Sequence, residues 1–368
     1  MTETVETESR ILRARVGLVS DIERCSAVLS SRVVEAFLNV PRHPFVPVFH
    51  SSDRTGRLTS ADGEVWLREV YANRVLVTEV DDVGGTATSS STLPSLMADM
   101  LDALDIRLGD RVLEIGTGTG YNAALLCHLA GAENVTTLDC AAPLVTAARD
   151  RLREVGFEPD VLAADGAAGH PGGAPYDRII ATCSVPRIPQ AWLDQCAPGG
   201  TIVAPIGGAL DGGAVACLTK LPDGRAVGRF LAAPAAFMPL RSGAATTPAV
   251  PGSVEGQQRT TAVGARVLDD YGFSFWASLH LPPNVVRQAG TLHDPVDGSA
   301  AQVQDHPDGP ATVTTAGPQD LWQIVEAAHT AWQRHHRPRR EWLTIEVTAD
   351  GQRIGHSAPN ATSASWAR

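Results

Sequence analysis

The residues best suited to chemistry begin at Val112-Leu-Glu-Ile-Gly-Thr-Gly-Thr-Gly120. An apolar run enters a glycine-rich turn, and Gly116 and Gly118, flanking Thr117, leave the backbone bare for close approach to a ligand. A plain strand-to-helix connection would use similar residues, so the spacing has to discriminate. A dinucleotide site needs G-x-G-x-x-G, but here the third glycine comes one residue early and Tyr121 stands in its place. Glu114 precedes the turn, where a carboxylate repels a pyrophosphate and suits a cationic amino-acid end. Asp139 ends the next strand, where it can accept both hydroxyls of a ribose. Asp165, followed by Gly166, ends the one after, where it can meet an adenine amino group. Either aspartate alone reads equally well as a helix N-cap. Three acidic residues at successive strand ends around one glycine loop point to S-adenosylmethionine, which carries a sulfonium and an ammonium but no phosphate, and to a methyltransferase-type pocket.

The elements needed to position these groups are legible from residue 93 onward. Leu93–Leu104 has helical apolar spacing with Pro94 in its first turn. Segments 111–115, 134–139, 161–165, 177–181 and 201–205 read as short buried strands, with helices at 121–129 and 142–155. Alternating strands and helices give right-handed crossovers and a parallel sheet covered on both faces. Residues 214–220 and 226–231 flank a Pro-Asp-Gly turn and read as an antiparallel edge hairpin. Upstream, a helix capped by Asp21 is expected to end at Pro41, Pro44 and Pro47, with 52–66 a surface loop and 74–80 a strand. Downstream, 273–279 reads as a strand, 321–332 as a helix, and 342–347 with 353–354 as a hairpin around Asp350-Gly351. The expected fold class is thus α/β, a class I Rossmann-like unit with a smaller α+β unit. Its divisions are 1–92 (helical and substrate-loop segment), 93–241 (cofactor-binding domain), 242–262 (linker) and 263–368 (accessory domain).

Composition narrows the partners. With 30 basic against 41 acidic residues and a net charge of -11, the chain has no cationic excess for a nucleic-acid backbone. Lys220 is the only lysine, and the run Arg334–Arg340 reads as a solvated helix end rather than a dock for an acidic peptide. No apolar run reaches the roughly 18 residues that cross a bilayer, and the acidic N-terminus is unlike a signal peptide, so a cytoplasmic protein is expected. The six cysteines lack any C-x-x-C pair and read as buried thiols, with no metal site.

Together, Val40–Pro47, Leu113–Tyr121, Ala164–Gly166, Ala174–Asp177, Pro189–Gln195, Pro198–Gly200, Ala204–Gly207 and Phe237–Leu240 resemble, in order, the protein-L-isoaspartate O-methyltransferases. The resemblance spans about residues 20–240. It implies a class I fold that methylates a side-chain or α-carboxylate at isoaspartyl sites with S-adenosylmethionine. It also implies a catalytic segment. The family carries Thr-Ile-Ser-x-Pro, whose serine lies beside methyl donor and acceptor. Here the segment is Thr88-Ser-Ser-Ser-Thr-Leu-Pro94, so that Thr92, with Ser91 and Ser90 before it, supplies the candidate hydroxyls. A polar loop would have the same composition. The residues after Leu240 are expected to have no counterpart in the repair enzyme. In that they look like the methyltransferases encoded with ribosomally made peptides, including lanthipeptides, lasso peptides and graspetides. Those enzymes methylate an L-Asp side chain of a precursor peptide, and the ester closes to an aspartimide that can open to isoaspartate.

A carboxylate is already an ionised nucleophile, so the reaction needs alignment rather than a base, and His43 reads as structural. Trp192 and Trp322 read as core, while Trp276, Trp332 and Trp342 read as core or as an aromatic groove for a peptide. Three functions are consistent with these residues: tailoring of a precursor peptide, general isoaspartyl repair, and a non-catalytic S-adenosylmethionine-binding scaffold. On the first, deleting residues 242–368 abolishes action on the precursor and spares cofactor binding.

Overall fold

A computed structural model describes the chain except for residues 1, 27, 52–55, 82–84, 209, 211, 242–249, 251, 289, 357–363 and 368. It forms two compact units. One comprises Met1–Cys183, Pro189–Val203 and Leu240–Gly243; the other comprises Ser184–Ile188, Ala204–Pro239 and Ala244–Arg368.

The first unit opens with helices α1 (Thr2–Cys25) and α2 (Ser31–Asn39). Asp21 lies inside α1 instead of capping a helix, because the helix already begins at Thr2. On α2, Val33, Ala36 and Phe37 fall on one buried face. A short hairpin of β1 (Val48–His50) and β2 (Arg57–Thr59) follows, then helix α3 (Glu64–Val70). The span expected to be a surface loop therefore holds a strand and the start of a helix. Next come β3 (Leu76–Val80) and β4 (Ala87–Ser91), an antiparallel pair. The Ser/Thr-rich segment is thus a strand. Ser89 and Ser91 are both 2% exposed while Ser90 between them is half-buried, as two-residue alternation requires.

Helix α4 (Pro94–Leu104) leads into the main sheet: β5 (Val112–Ile115), α5 (Tyr121–Ala130), β6 (Val135–Asp139), α6 (Ala142–Glu154), β7 (Asp160–Ala163), β8 (Tyr176–Ala181), α7 (Gln190–Gln195) and β9 (Cys196–Ile206). These strands are all parallel, in the order β9-β8-β5-β6-β7. After β5 the chain winds first toward one edge and then returns to β5's other side. The carboxyl end of β5 is therefore the switch point at which such sheets bind ligands. All four β5 residues are buried, as expected for a strand covered on both faces.

In the second unit, β10 (Ala214–Lys220) and β11 (Ala226–Pro234) form the expected hairpin. A five-stranded antiparallel sheet contains β12 (Gln257–Thr261), β13 (Val286–Gln288), β14 (Thr291–His293), β15 (Ala300–His306) and β16 (Gly309–Ala316). Residues 273–279 are helical, not extended: they belong to α8 (Tyr271–Ser278), capped by Asp270, whose carboxylate accepts from the Gly272 and Phe273 amides. Helix α9 (Leu321–Arg334) lies where periodicity put it. The hairpin of β17 (Leu343–Thr348) and β18 (Gly351–His356) turns at Asp350-Gly351. β17 also pairs with β11, and β18 with β19 (Ala364–Ala367). Of the segment expected to be a linker, residues 242–249 and 251 lie outside the described residues, and 257–261 are strand β12. Trp192, Trp276, Trp322 and Trp332 are buried, which leaves only half-buried Trp342, stacked under Arg339, of the aromatic-groove idea. Among the cysteines, Cys25 and Cys140 are exposed, not buried.

Candidate active site

The glycine loop leaves β5 at its switch-point end and is tied down on two sides. The Gly116 and Thr117 amides both donate to the Leu138 carbonyl of β6, at 2.8 and 3.0 Å. On the other side Thr182, just past β8, donates its hydroxyl to the carbonyls of Gly116 and Ile115. Gly116 has φ +100°, and a Cβ there would lie 2.6 Å from Thr182 Oγ1. Glycine is therefore required on conformation and on space alike.

The three acidic residues stand at the ends of β5, β6 and beyond β7, and their surroundings differ. Glu114 is fully buried, accepting from Asn122 Nδ2 at 2.8 Å and from Thr137 Oγ1 at 2.6 Å. Thr137 in turn lies 2.7 Å from Thr117 Oγ1. Loss of water raises the Glu114 carboxyl to about 7, against the opposing effect of these two hydrogen bonds. Its carboxylate braces the loop through Thr137 and Thr117. Asp139 is half-buried and accepts from the Gly118 amide at 2.9 Å and the Ala141 amide at 3.0 Å. Asp165 is exposed and caps the short turn Gly166–Ala168, accepting from Ala167 N at 2.9 Å. Gly166 is a packing glycine: a Cβ would come within 2.6 Å of Ile115 and 2.9 Å of Leu240. Its carbonyl accepts from Trp192 Nε1 at 2.8 Å.

Strand β4 borders the same loop. The Ser90 carbonyl lies 3.8 Å from where a Gly118 Cβ would be, and Arg241 donates to the Thr88 carbonyl at 3.1 Å. The three candidate hydroxyls are not equivalent. Ser91 is buried, and its Oγ accepts from Arg42 at 3.0 and 3.3 Å. Ser90 and Thr92 are half-buried, so their side chains are not closed off as that of Ser91 is.

Motif spacing does not single out Arg42, the neighbour of His43. It is fully buried and donates to the carbonyls of Val70, Ala72, Arg74, Ser91 and Thr92. Burial pulls its guanidinium down to about 10. An arginine inside an otherwise apolar, proline-rich run was the signal available for it. His43 pairs its Nδ1 with Tyr71 Oη at 2.9 Å, and burial, then Arg15, lowers it to about 4. It is neutral near pH 7 and held in an aromatic cluster with Trp66 and Tyr71, a structural placement.

Bare glycine backbone at the switch point, flanked by carboxylates on β5 and β6, fits a cationic, phosphate-free cofactor with adenosine and amino-acid ends. Among the described residues no group of three or more His, Cys, Asp or Glu could hold a metal ion, and no helix is long and apolar enough to cross a membrane. The chain resembles the protein-L-isoaspartate O-methyltransferase of Methanosarcina mazei, 36% identical over 204 residues, covering 55% of this chain and 74% of that one. That of Methanopyrus kandleri is 35% identical over 205 residues, covering 55% and 80%. A solved structure described as a protein-L-isoaspartate O-methyltransferase superposes with a TM-score of 0.54 at 22% identity, over 96% of this chain and 99% of that one. The fold of the residues after Leu240 therefore has a counterpart, contrary to the expectation from sequence. The family profile described as protein-L-isoaspartate(D-aspartate) O-methyltransferase matches residues 48–245. That span holds the glycine loop, the carboxylates and the hydroxyl strand, and on it this chain belongs to that family of S-adenosylmethionine-dependent carboxyl O-methyltransferases.

Proposed function

We propose that the chain methylates the free carboxylate at an isoaspartyl residue of a protein or peptide. The observation that carries this reading is the placement of β4's hydroxyl-bearing end against Gly118 of the cofactor loop. When bound, S-adenosylmethionine supplies an electrophilic methyl carbon, which the carboxylate oxygen takes as the carbon–sulfur electron pair stays on sulfur. Everything else asked of the chain is alignment. Gly116, Thr117 and Gly118 give the cofactor its backbone cradle, with Asp139 and Asp165 on the ribose and adenine side and Glu114 bracing the loop from beneath. Ser90 or Thr92 donates one hydrogen bond to the acceptor carboxylate. A neutral hydroxyl fixes its direction without quenching its nucleophilicity as an ion pair would. No residue has to remove a proton, consistent with a neutral His43 turned to Tyr71.

A second reading, tailoring of an ordinary L-Asp in a ribosomally made precursor peptide, draws on the residues after 245, which lie beyond the family match. In that case the ester carbonyl is attacked by the next backbone nitrogen, methanol leaves, and an aspartimide forms. The overlap of residues after Leu240 with an isoaspartate methyltransferase structure weighs toward the first reading. The deciding experiment incubates the full chain with S-adenosylmethionine and either a synthetic isoaspartyl peptide or an L-Asp-containing cyclised precursor, followed by mass spectrometry. Isoaspartyl methylation alone supports the first. Methyl gain and methanol loss on the L-Asp peptide, with the isoaspartyl peptide untouched, would replace it with the second.

A further inference from the structure

Arg42 presents a physical problem that the carboxylate reading resolves. Its guanidinium is fully buried, yet its partners are carbonyls and the Ser91 hydroxyl. It takes the Val70 and Ala72 carbonyls on one nitrogen. On another it takes those of Arg74, Ser91 and Thr92 together with Ser91 Oγ. Among the described residues it has no carboxylate in an ion pair, and the Tyr121 ring, 5.8 Å from its Cζ, is its aromatic neighbour. A buried cation without a counter-ion is expensive to maintain. Lysine would satisfy fewer of these acceptors, since only the planar guanidinium presents five donors in a fixed fork. The arrangement spans two places: the turn between α3 and β3, and the end of β4, where the candidate hydroxyls lie.

We propose that Arg42 is a positioning residue for the methyl acceptor. Its guanidinium locks the backbone at Ser91 and Thr92 so that the neighbouring hydroxyls meet the substrate carboxylate, and its uncompensated charge behind that strand selects an anionic acceptor. This rests on the carboxylate-methylation reading above. Arg42 does not itself touch the reacting atoms. It acts through the strand it holds, and the negative charge missing from its surroundings arrives with the substrate.

The test uses the full chain, S-adenosylmethionine and a synthetic isoaspartyl peptide. It compares Arg42→Lys, Arg42→Met and Ser91→Ala by peptide KM, kcat and calorimetric cofactor affinity. Arg42→Met is expected to lower kcat/KM for the peptide about a hundredfold with a raised peptide KM, and Arg42→Lys, which keeps the charge, about tenfold. Ser91→Ala removes one acceptor and keeps the guanidinium, so a loss of about three- to tenfold is expected. Cofactor affinity should stay within about twofold throughout, because the glycine loop is not altered. A purely structural role would reduce the active fraction and leave the peptide KM unmoved. A folded Arg42→Met with unchanged peptide KM overturns the proposal, and so does an unchanged Ser91→Ala if Arg42→Met fails to fold. Wild-type enzyme that binds the cofactor yet methylates no isoaspartyl peptide shows instead that the functional reading has failed, and the proposal falls with it.

Discussion

Glu114 is where burial and chemistry meet most directly. The carboxyl sits at about 7 in the folded protein, against 4.5 for the free group. Between those values the folded chain holds a proton that the unfolded chain has lost, so stability falls as pH rises through the window and levels off above it. Glu114→Gln replaces the titrating group with a neutral one of like shape. Asn122 Oδ1, buried and without a partner, can accept from the new amide after a flip. The variant's stability relative to wild type is therefore expected to improve from pH 5 to about pH 7 and to level off above that in equilibrium denaturation. A difference that does not vary with pH would contradict the assignment. Gly116 makes a second prediction at this scale. A valine there must adopt φ +100° and displace Thr182. Gly116→Val is expected to weaken calorimetric S-adenosylmethionine binding about a hundredfold or more.

Elements were legible wherever their period was long and their ends were marked. The parallel strands and helices from residue 93 to 206 follow the buried apolar runs, and the hairpins at Pro222-Asp-Gly and Asp350-Gly351 follow their turn residues. The misreadings have definite causes. Phe273-Ser-Phe-Trp alternates like a strand, yet Asp270 caps its backbone as a helix and tertiary packing buries both of its sides. The serines at 89–91 look like loop residues by composition, and only pairing with β3 shows them to be a strand. Within the site, the glycines and carboxylates were visible as spacing. Arg42 was not, because its role depends on carbonyls dispersed over residues 70–92, and backbone acceptors carry no sequence signature. The α8 cap gives a direct check: Asp270→Ala removes the acceptor of two amides and is expected to cost about 1 kcal/mol, seen as a lowered thermal midpoint. An unchanged midpoint would mean that packing alone holds the helix.

At the scale of the whole chain, the glycine loop, β4 and Arg42 lie in one compact unit, while residues 204–239 group with the C-terminal residues in the other. Removing 242–368 does more than delete a C-terminal appendage, because β11 pairs with β17 from Ala226–Val347 to Arg229–Thr344. The shortened chain carries a naked strand edge. It is expected to self-associate in size-exclusion chromatography instead of surviving as a free cofactor-binding unit. A monodisperse truncated protein with normal S-adenosylmethionine affinity would refute this. The same pairing bears on synthesis. At about 5–20 residues per second, β11 leaves the ribosome several seconds before β17 exists to cover it. The nascent chain passes through an interval in which that edge is open to any neighbouring strand, and crowding by sister chains on one message would be felt there first.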